Sequence, residues 1–171
     1  ASEATKVLEN SYRAVNIAFI DEWTKYSELI GIDLYEIVDA VRVRPTHSNI
    51  RSPGLGVGGY CLTKDPLFAP ASLDGLFNID GPEFIFSKLA MEVNQKMPLH
   101  AVERLSTLMN EELENKNILI MGVSYKGDIG DSRFSPSELL VRTLKNRGAN
   151  IVCFDPFLTY WPEMEQPLLS E

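Results

Sequence analysis

No stretch of this 171-residue chain approaches the ~20 consecutive apolar residues that a membrane-spanning helix needs. Positive charge is scarce as well. Lys and Arg number 16 against 24 Asp and Glu, which gives a net charge of −8 at pH 7, and the cations form no cluster. Nucleic acid and anionic membranes are therefore excluded as expected partners. Cysteine and histidine occur only twice each, and no spacing of them suggests a metal site. Cys61 and Cys153 lie far apart in different motifs, as reduced thiols of a cytosolic protein do. The opening residues Ala1-Ser2-Glu3 have neither a basic nor an apolar segment of a signal peptide. They already sit inside a helical pattern, so the chain reads as part of a longer protein.

What the chain does have is glycine in one place. Residues 53–66 read Pro-Gly-Leu-Gly-Val-Gly-Gly-Tyr-Cys-Leu-Thr-Lys-Asp-Pro. Four glycines in six positions allow positive φ and a close approach of backbone to a ligand. Asp65 is expected as a helix N-cap, with Pro66 in the first turn. Cys61 then falls just before that helix, near the positive end of its dipole, where reactive thiols are found. A glycine-rich turn beside a structural cysteine fits these letters equally well.

The remaining patterns set this loop in context. Residues 3–30 carry helical spacing without Pro or Gly until Gly31, which suits the position after a helix. Lys6 and Asn10 share one face of that helix, with Arg13 a turn on. Asp33-Leu34-Tyr35-Glu36 is a capping box opening a second helix that must stop before Arg44-Pro45. Residues 42–60 then form a long irregular segment, and ordered segments of this length are usually functional. A short helix is expected from Pro66 to about Leu73, then a loop bracketed by Asp74-Gly75 and Asp80-Gly81-Pro82. A long helix from Glu83 to about Leu113 should kink at Pro98. Ile118–Met121 and Ile151–Phe154 read as strands around a helix that starts at Ser135-Pro136-Ser137-Glu138 and runs to Gly148. This β-loop-α-β unit lacks the G-x-G-x-x-G dinucleotide turn. Beyond Asp155-Pro156 the chain ends in Thr159-Tyr160-Trp161-Pro162 and an acidic tail.

Taken together, Gly56-Val57-Gly58-Gly59-Tyr60-Cys61, Asp65 four residues on, and Lys6 with Asn10 resemble the UDP-glucose/GDP-mannose dehydrogenase family. The likeness runs from about Lys6 to Pro156. Many members have His before the cysteine, where this chain has Tyr60. The resemblance implies a mainly α central domain with a long connecting helix (residues 1–113), followed by a partial, Rossmann-like α/β domain that binds the nucleotide sugar (114–171). It implies two oxidations of a sugar C6 alcohol with NAD, through a thiohemiacetal and a thioester on Cys61. Lys6 and Asn10 would meet the oxyanion, and Asp65 would orient water or act as base. Ile50, Arg51, Ser52, Gly58 and Lys126 would contact the substrate. Arg133 would reach the cofactor, with Lys64 a weaker candidate. Family members form a homodimer through the central domain and use an Arg from the partner subunit; Arg44 and Arg51 both sit off the family spacing for it. The domain that binds NAD in the family is expected outside residues 1–171. Two other readings compete: a non-catalytic dimerisation module with a degenerate site, and an unrelated thiol hydrolase or transferase. The first is disfavoured because Lys6, Asn10, Cys61 and Asp65 are all present. The second has no His in a motif, since His47 lies in a loop and His100 in a helix.

Overall fold

The computed structural model describes residues 2–169. Its elements are α1 (Ser2–Ile30), α2 (Leu34–Arg42), α3 (Phe68–Gly75), α4 (Ile85–Leu108), β1 (Asn117–Met121), α5 (Pro136–Asn146), β2 (Asn150–Phe154), β3 (Tyr160–Trp161) and β4 (Gln166–Pro167), with 3₁₀ turns at Pro45–His47, Asp65–Leu67 and Pro162–Met164. The chain divides into two compact units. One comprises residues 1–56 and 61–95, the other 57–60 and 96–171. The fold is mainly helical, followed by a small parallel pair of strands, in line with the sequence reading.

The first unit is organised on α1. Ala14 and Ala18 meet Ala90 of α4, with Val15 and Val93 beside them. Small side chains let the two helices approach closely and still fill the space between them. Ile20 contributes to a second cluster with Leu34 and Val38 of α2 and the half-buried Ile37 and Ile50. The Asp33 carboxylate caps α2 by accepting the Tyr35 amide at 2.8 Å, and Gly31 takes φ +71° after α1, both as the sequence predicts. The outward face of α1 stays apolar. Leu8, Tyr12, Phe19, Trp23, Tyr26 and Ile30 are all exposed, and the rings of Trp23 and Tyr26 meet edge-on at 5.4 Å.

In the second unit β1 and β2 pair in parallel from Asn117↔Asn150 to Met121↔Phe154. Ser135 caps α5 by accepting the Ser137 amide. Leu144, Val102 and Leu113 form one buried cluster and Val123, Val141 and Cys153 another, and Ile120 and Ile151 of the strands pack against both. The opposite faces of the strands, at Leu119, Met121 and Val152, are exposed. Two parallel strands leave one face uncovered, as the sequence implied.

Two expectations require correction. The long helix ends at Leu108, not near Leu113. Asn110 and Glu111 adopt positive φ, and the Glu111 amide closes back on the Ser106 carbonyl at 2.7 Å, a helix-ending bond. Leu113 was read as helical because it is apolar, and it is buried in the core instead. Pro98 lies inside α4 as the sequence places it, with Met97 and Val102 buried near it. The segment after Pro162, read as an acidic tail, folds back: its β4 pairs antiparallel with β3, Tyr160↔Pro167 and Trp161↔Gln166. Trp161 is fully buried and Leu168 packs beside it. Truncating such a tryptophan costs about 3–5 kcal/mol.

One buried group in α1 carries a penalty. Asp21 is 2% exposed, and its Oδ2 meets no donor among the described residues. Burial pushes its carboxyl from 3.8 up to about 7, against the smaller opposing pull of Lys25. The folded value lies above the unfolded one, so the folded state binds the extra proton between them. Stability therefore falls as pH rises from about 4 to about 7, and the loss is complete above that range. Asp21→Asn is expected to stabilise the protein by about 2 kcal/mol at pH 8 and by little at pH 4.5. Thermal melts at the two pH values check this, and an equal effect at both would show that the carboxyl titrates normally.

Candidate active site

Cys61 lies in the turn that follows the glycines, and its side chain is exposed. Its carbonyl accepts the amides of Lys64 at 3.2 Å and Asp65 at 2.8 Å, which closes the turn. Buried Leu62 and Pro66 anchor either side of it. The chain then enters the 3₁₀ turn Asp65–Leu67, which packs on α1.

The sequence predicts Asp65 as a helix N-cap, and the structure corrects this. Lys64 precedes the turn, Asp65 is its first residue, and no side-chain cap is formed. The carboxylate is turned inward instead. It is 4% exposed, and Oδ2 accepts Nδ2 of Asn10 at 2.8 Å while Oδ1 takes the Lys64 ammonium at 3.1 Å. A carboxylate removed from water needs such donors, and a cap to its own turn would leave it only one. Asn10 is equally buried, on the inner face of α1. The structure thus brings together Asn10 and Asp65, fifty-five residues apart. Lys6, one turn before Asn10 on the same face, is exposed. The cation that touches the buried carboxylate is Lys64, which also lies 4.4 Å above the Phe68 ring. Adjacent residues need not point the same way, so the Lys64–Asp65 contact has no signature in the local sequence.

Two of the glycines are required by close packing within the protein. A Cβ on Gly58 would come within 2.3 Å of the Phe134 carbonyl and 2.9 Å of Cβ of Tyr125. Gly59 has φ +81°, and a Cβ there would meet the Tyr125 ring at 2.6 Å. The close approach is to protein within the second unit, and Tyr60 adds a ring contact to Phe134 at 5.7 Å. Gly54, Gly56 and Gly59 also match the letters of G-x-G-x-x-G. Among the described residues no strand precedes them, so the match lacks the context of a dinucleotide turn.

Also in the second unit, Lys126 is exposed in the loop after β1. Asp155, read from sequence only as the end of a strand, shapes that loop. Its Oδ2 accepts the amides of Val123 at 3.0 Å and Ser124 at 2.9 Å, and Oδ1 that of Phe157 at 2.9 Å. Burial disfavours its charge, but these amides outweigh burial and hold the carboxyl below its usual range. Arg133 is exposed and gripped in a fork by Asp131, Nε to Oδ1 at 2.9 Å and an Nη to Oδ2 at 2.7 Å. The guanidinium bonds bring the Asp131 carboxyl down to about 2. Ile50, Arg51 and Ser52 lie in the irregular segment of the first unit, with Ile50 half-buried and the other two exposed. His47 ends a 3₁₀ turn, its Nδ1 2.9 Å from the Thr46 hydroxyl. Among the described residues no group of His, Cys, Asp and Glu is placed to hold a metal, and no helix is long and apolar enough to cross a membrane.

Comparison with known proteins agrees with this arrangement. The central domain of the UDP-glucose/GDP-mannose dehydrogenase family matches residues 1–96, and the UDP binding domain of the same family matches residues 119–169. UDP-N-acetyl-D-mannosamine dehydrogenase of Methanocaldococcus jannaschii is 35% identical over 91% of this chain and 34% of its own length. UDP-glucose 6-dehydrogenase of Rickettsia conorii is 32% identical over 91% of this chain and 35% of its own. Among solved structures, the NDP-N-acetyl-D-galactosaminuronic acid dehydrogenase of Methanosarcina mazei superposes with a TM-score of 0.82 at 30% identity, covering 95% of this chain and 36% of that one. The chain therefore spans about a third of the length of these relatives. Two consecutive domains matched in order, with the helix and the loop that carry Asn10 and Asp65 both inside the first, mean that this chain belongs to the UDP-glucose/GDP-mannose dehydrogenase family.

Proposed function

We propose that this chain is the thiol-bearing part of a UDP-sugar dehydrogenase that oxidises the sugar C6 alcohol to a carboxylate. The observation that carries the reading is the buried Asn10–Asp65 bond, which joins the helix bearing Lys6 to the turn bearing an exposed Cys61. NAD, when bound, supplies the hydride acceptor for both oxidations. The described residues build no strand-glycine-helix cradle for it, and what they offer its pyrophosphate is the exposed guanidinium of Arg133. Lys64 suits that role less, since its ammonium is engaged by Asp65 and Phe68.

The work of this chain falls between and after the oxidations. Cys61 Sγ adds to the C6 aldehyde; the C–S bond forms as the carbonyl π electrons move to oxygen. The alkoxide so formed is met by the Lys6 ammonium and by the second N–H of the Asn10 amide, the first being held by Asp65. Once this thiohemiacetal is oxidised to a thioester, Asp65 takes a proton from the water that opens it, freeing the carboxylate and the thiol. The uridine diphosphate falls to Ile50, Arg51, Ser52, Gly58 and Lys126. The names of the relatives support a UDP-hexose or a UDP-N-acetylhexosamine as the sugar. The exposed apolar stripe of α1 supports a second copy of this chain as its cover.

In the complete enzyme, Cys61→Ser should abolish acid formation, because the second oxidation requires the thiohemiacetal. NADH yield per sugar, with mass spectrometry of the protein, reads this out. Two NADH per sugar at the parent rate would reduce Cys61 to a structural residue. Lys6→Ala should slow turnover by about 10²-fold, as loss of a group facing an oxyanion does. Sedimentation equilibrium is expected to return a dimer at tens of micromolar, with Trp23→Lys shifting it to monomer; a monomeric parent would contradict the cover proposed for α1.

A further inference from the structure

Residues 49–53 belong to no helix or strand, yet side chains from α1 and α2 hold each of them. The Asn49 side-chain amide donates to the Tyr12 hydroxyl at 2.6 Å, and its carbonyl accepts Nδ2 of Asn16 at 3.3 Å. The Ile50 carbonyl accepts both Nε and an Nη of Arg42, at 3.2 and 2.9 Å. The Arg51 amide donates to Oδ1 of Asn16 at 3.1 Å. The Ser52 hydroxyl accepts the same Arg42 Nη at 2.8 Å, and the Pro53 carbonyl accepts the Tyr35 hydroxyl at 3.3 Å. The second Nη of Arg42 is steadied by Asp39 at 3.0 Å. Ile50 is the apolar anchor, seated against the Ile20, Leu34 and Val38 cluster.

Arg42 and Asn16 do most of this holding. A planar guanidinium reaches two successive acceptors at fixed angles, which a lysine ammonium on a flexible stem does not. An asparagine amide supplies a donor and an acceptor at once, so Asn16 fits the Asn49 carbonyl and the Arg51 amide with one group. A fixed backbone at 50 and 52 carries the exposed Arg51 between two tied points. In a chain of net charge −8, a diphosphate must be met by a few placed cations, and a cation on a fixed backbone loses less freedom on binding.

We propose that Arg42 and Asn16 are positioning residues, which hold residues 49–53 in the shape that presents Arg51 to the diphosphate of the nucleotide. The inference rests on the UDP-sugar reading above. The test compares full-length parent, Arg42→Ala, Arg42→Lys and Asn16→Ala in two assays. One measures KM and kcat for the UDP-sugar turned over by the parent. The other measures the rate of tryptic cleavage after Arg51, followed by mass spectrometry. Arg42→Ala is expected to raise KM about tenfold with kcat within about threefold, and to speed cleavage about tenfold. Arg42→Lys should resemble Arg42→Ala in both, because the fork and not the charge holds the segment. Asn16→Ala should move both quantities the same way, and it carries the test if the Arg42 variants do not fold. Parent-like KM and cleavage in the Arg42 and Asn16 variants, or restoration of both by Lys, would overturn the proposal. A fall in kcat at unchanged KM would also overturn it. If the parent turns over no UDP-sugar, the dehydrogenase reading fails, and the cleavage rates still decide whether Arg42 and Asn16 hold the segment.

Discussion

A charged carboxylate taken out of water sets the terms for the first unit. Asp65 is nearly inaccessible, and such a group persists only where donors replace the water it has lost. Asn10 supplies one, from a helix that ends long before the turn begins, and Lys64 supplies the other. Breaking either contact leaves a buried group unpaired, so the turn and the helix are fixed to one another more tightly than apolar packing alone would fix them. The exposed thiol of Cys61 inherits that fixity because its own carbonyl closes the turn on the Asp65 amide.

Much of this was legible in the letters. Helix limits at Gly31 and Asp33, the capped start of α5 at Ser135, and the two parallel strands follow from local rules about caps, glycine and periodicity. Asn10 and Asp65 were singled out together only through a resemblance. What joins them is a contact spanning fifty-five residues, and no local rule supplies such a contact.

The failures have a common cause. Asp65 was assigned to cap its own turn because Asp before Pro does that work in isolation, and burial changed the competition in favour of Asn10 and Lys64. The stretch after Pro162 reads as a tail because every charge in it, Glu163, Glu165 and Glu171, is acidic. Trp161 and Leu168 are enough to fold it once the core with Val141 and Cys153 exists to receive them. In each case the residue type was read correctly and its partner was chosen by tertiary packing.

The grip of Asp155 on Val123 and Ser124 has a consequence for the order in which the second unit forms. The loop after β1 is shaped by a residue some thirty positions downstream, at the end of β2. On the ribosome, the segment carrying Lys126 therefore emerges without the group that organises it. It acquires its form when α5 has crossed back and β2 has paired, which places it among the last parts of the unit to order. Slow steps in β2 docking would delay Lys126 far more than they delay the helices.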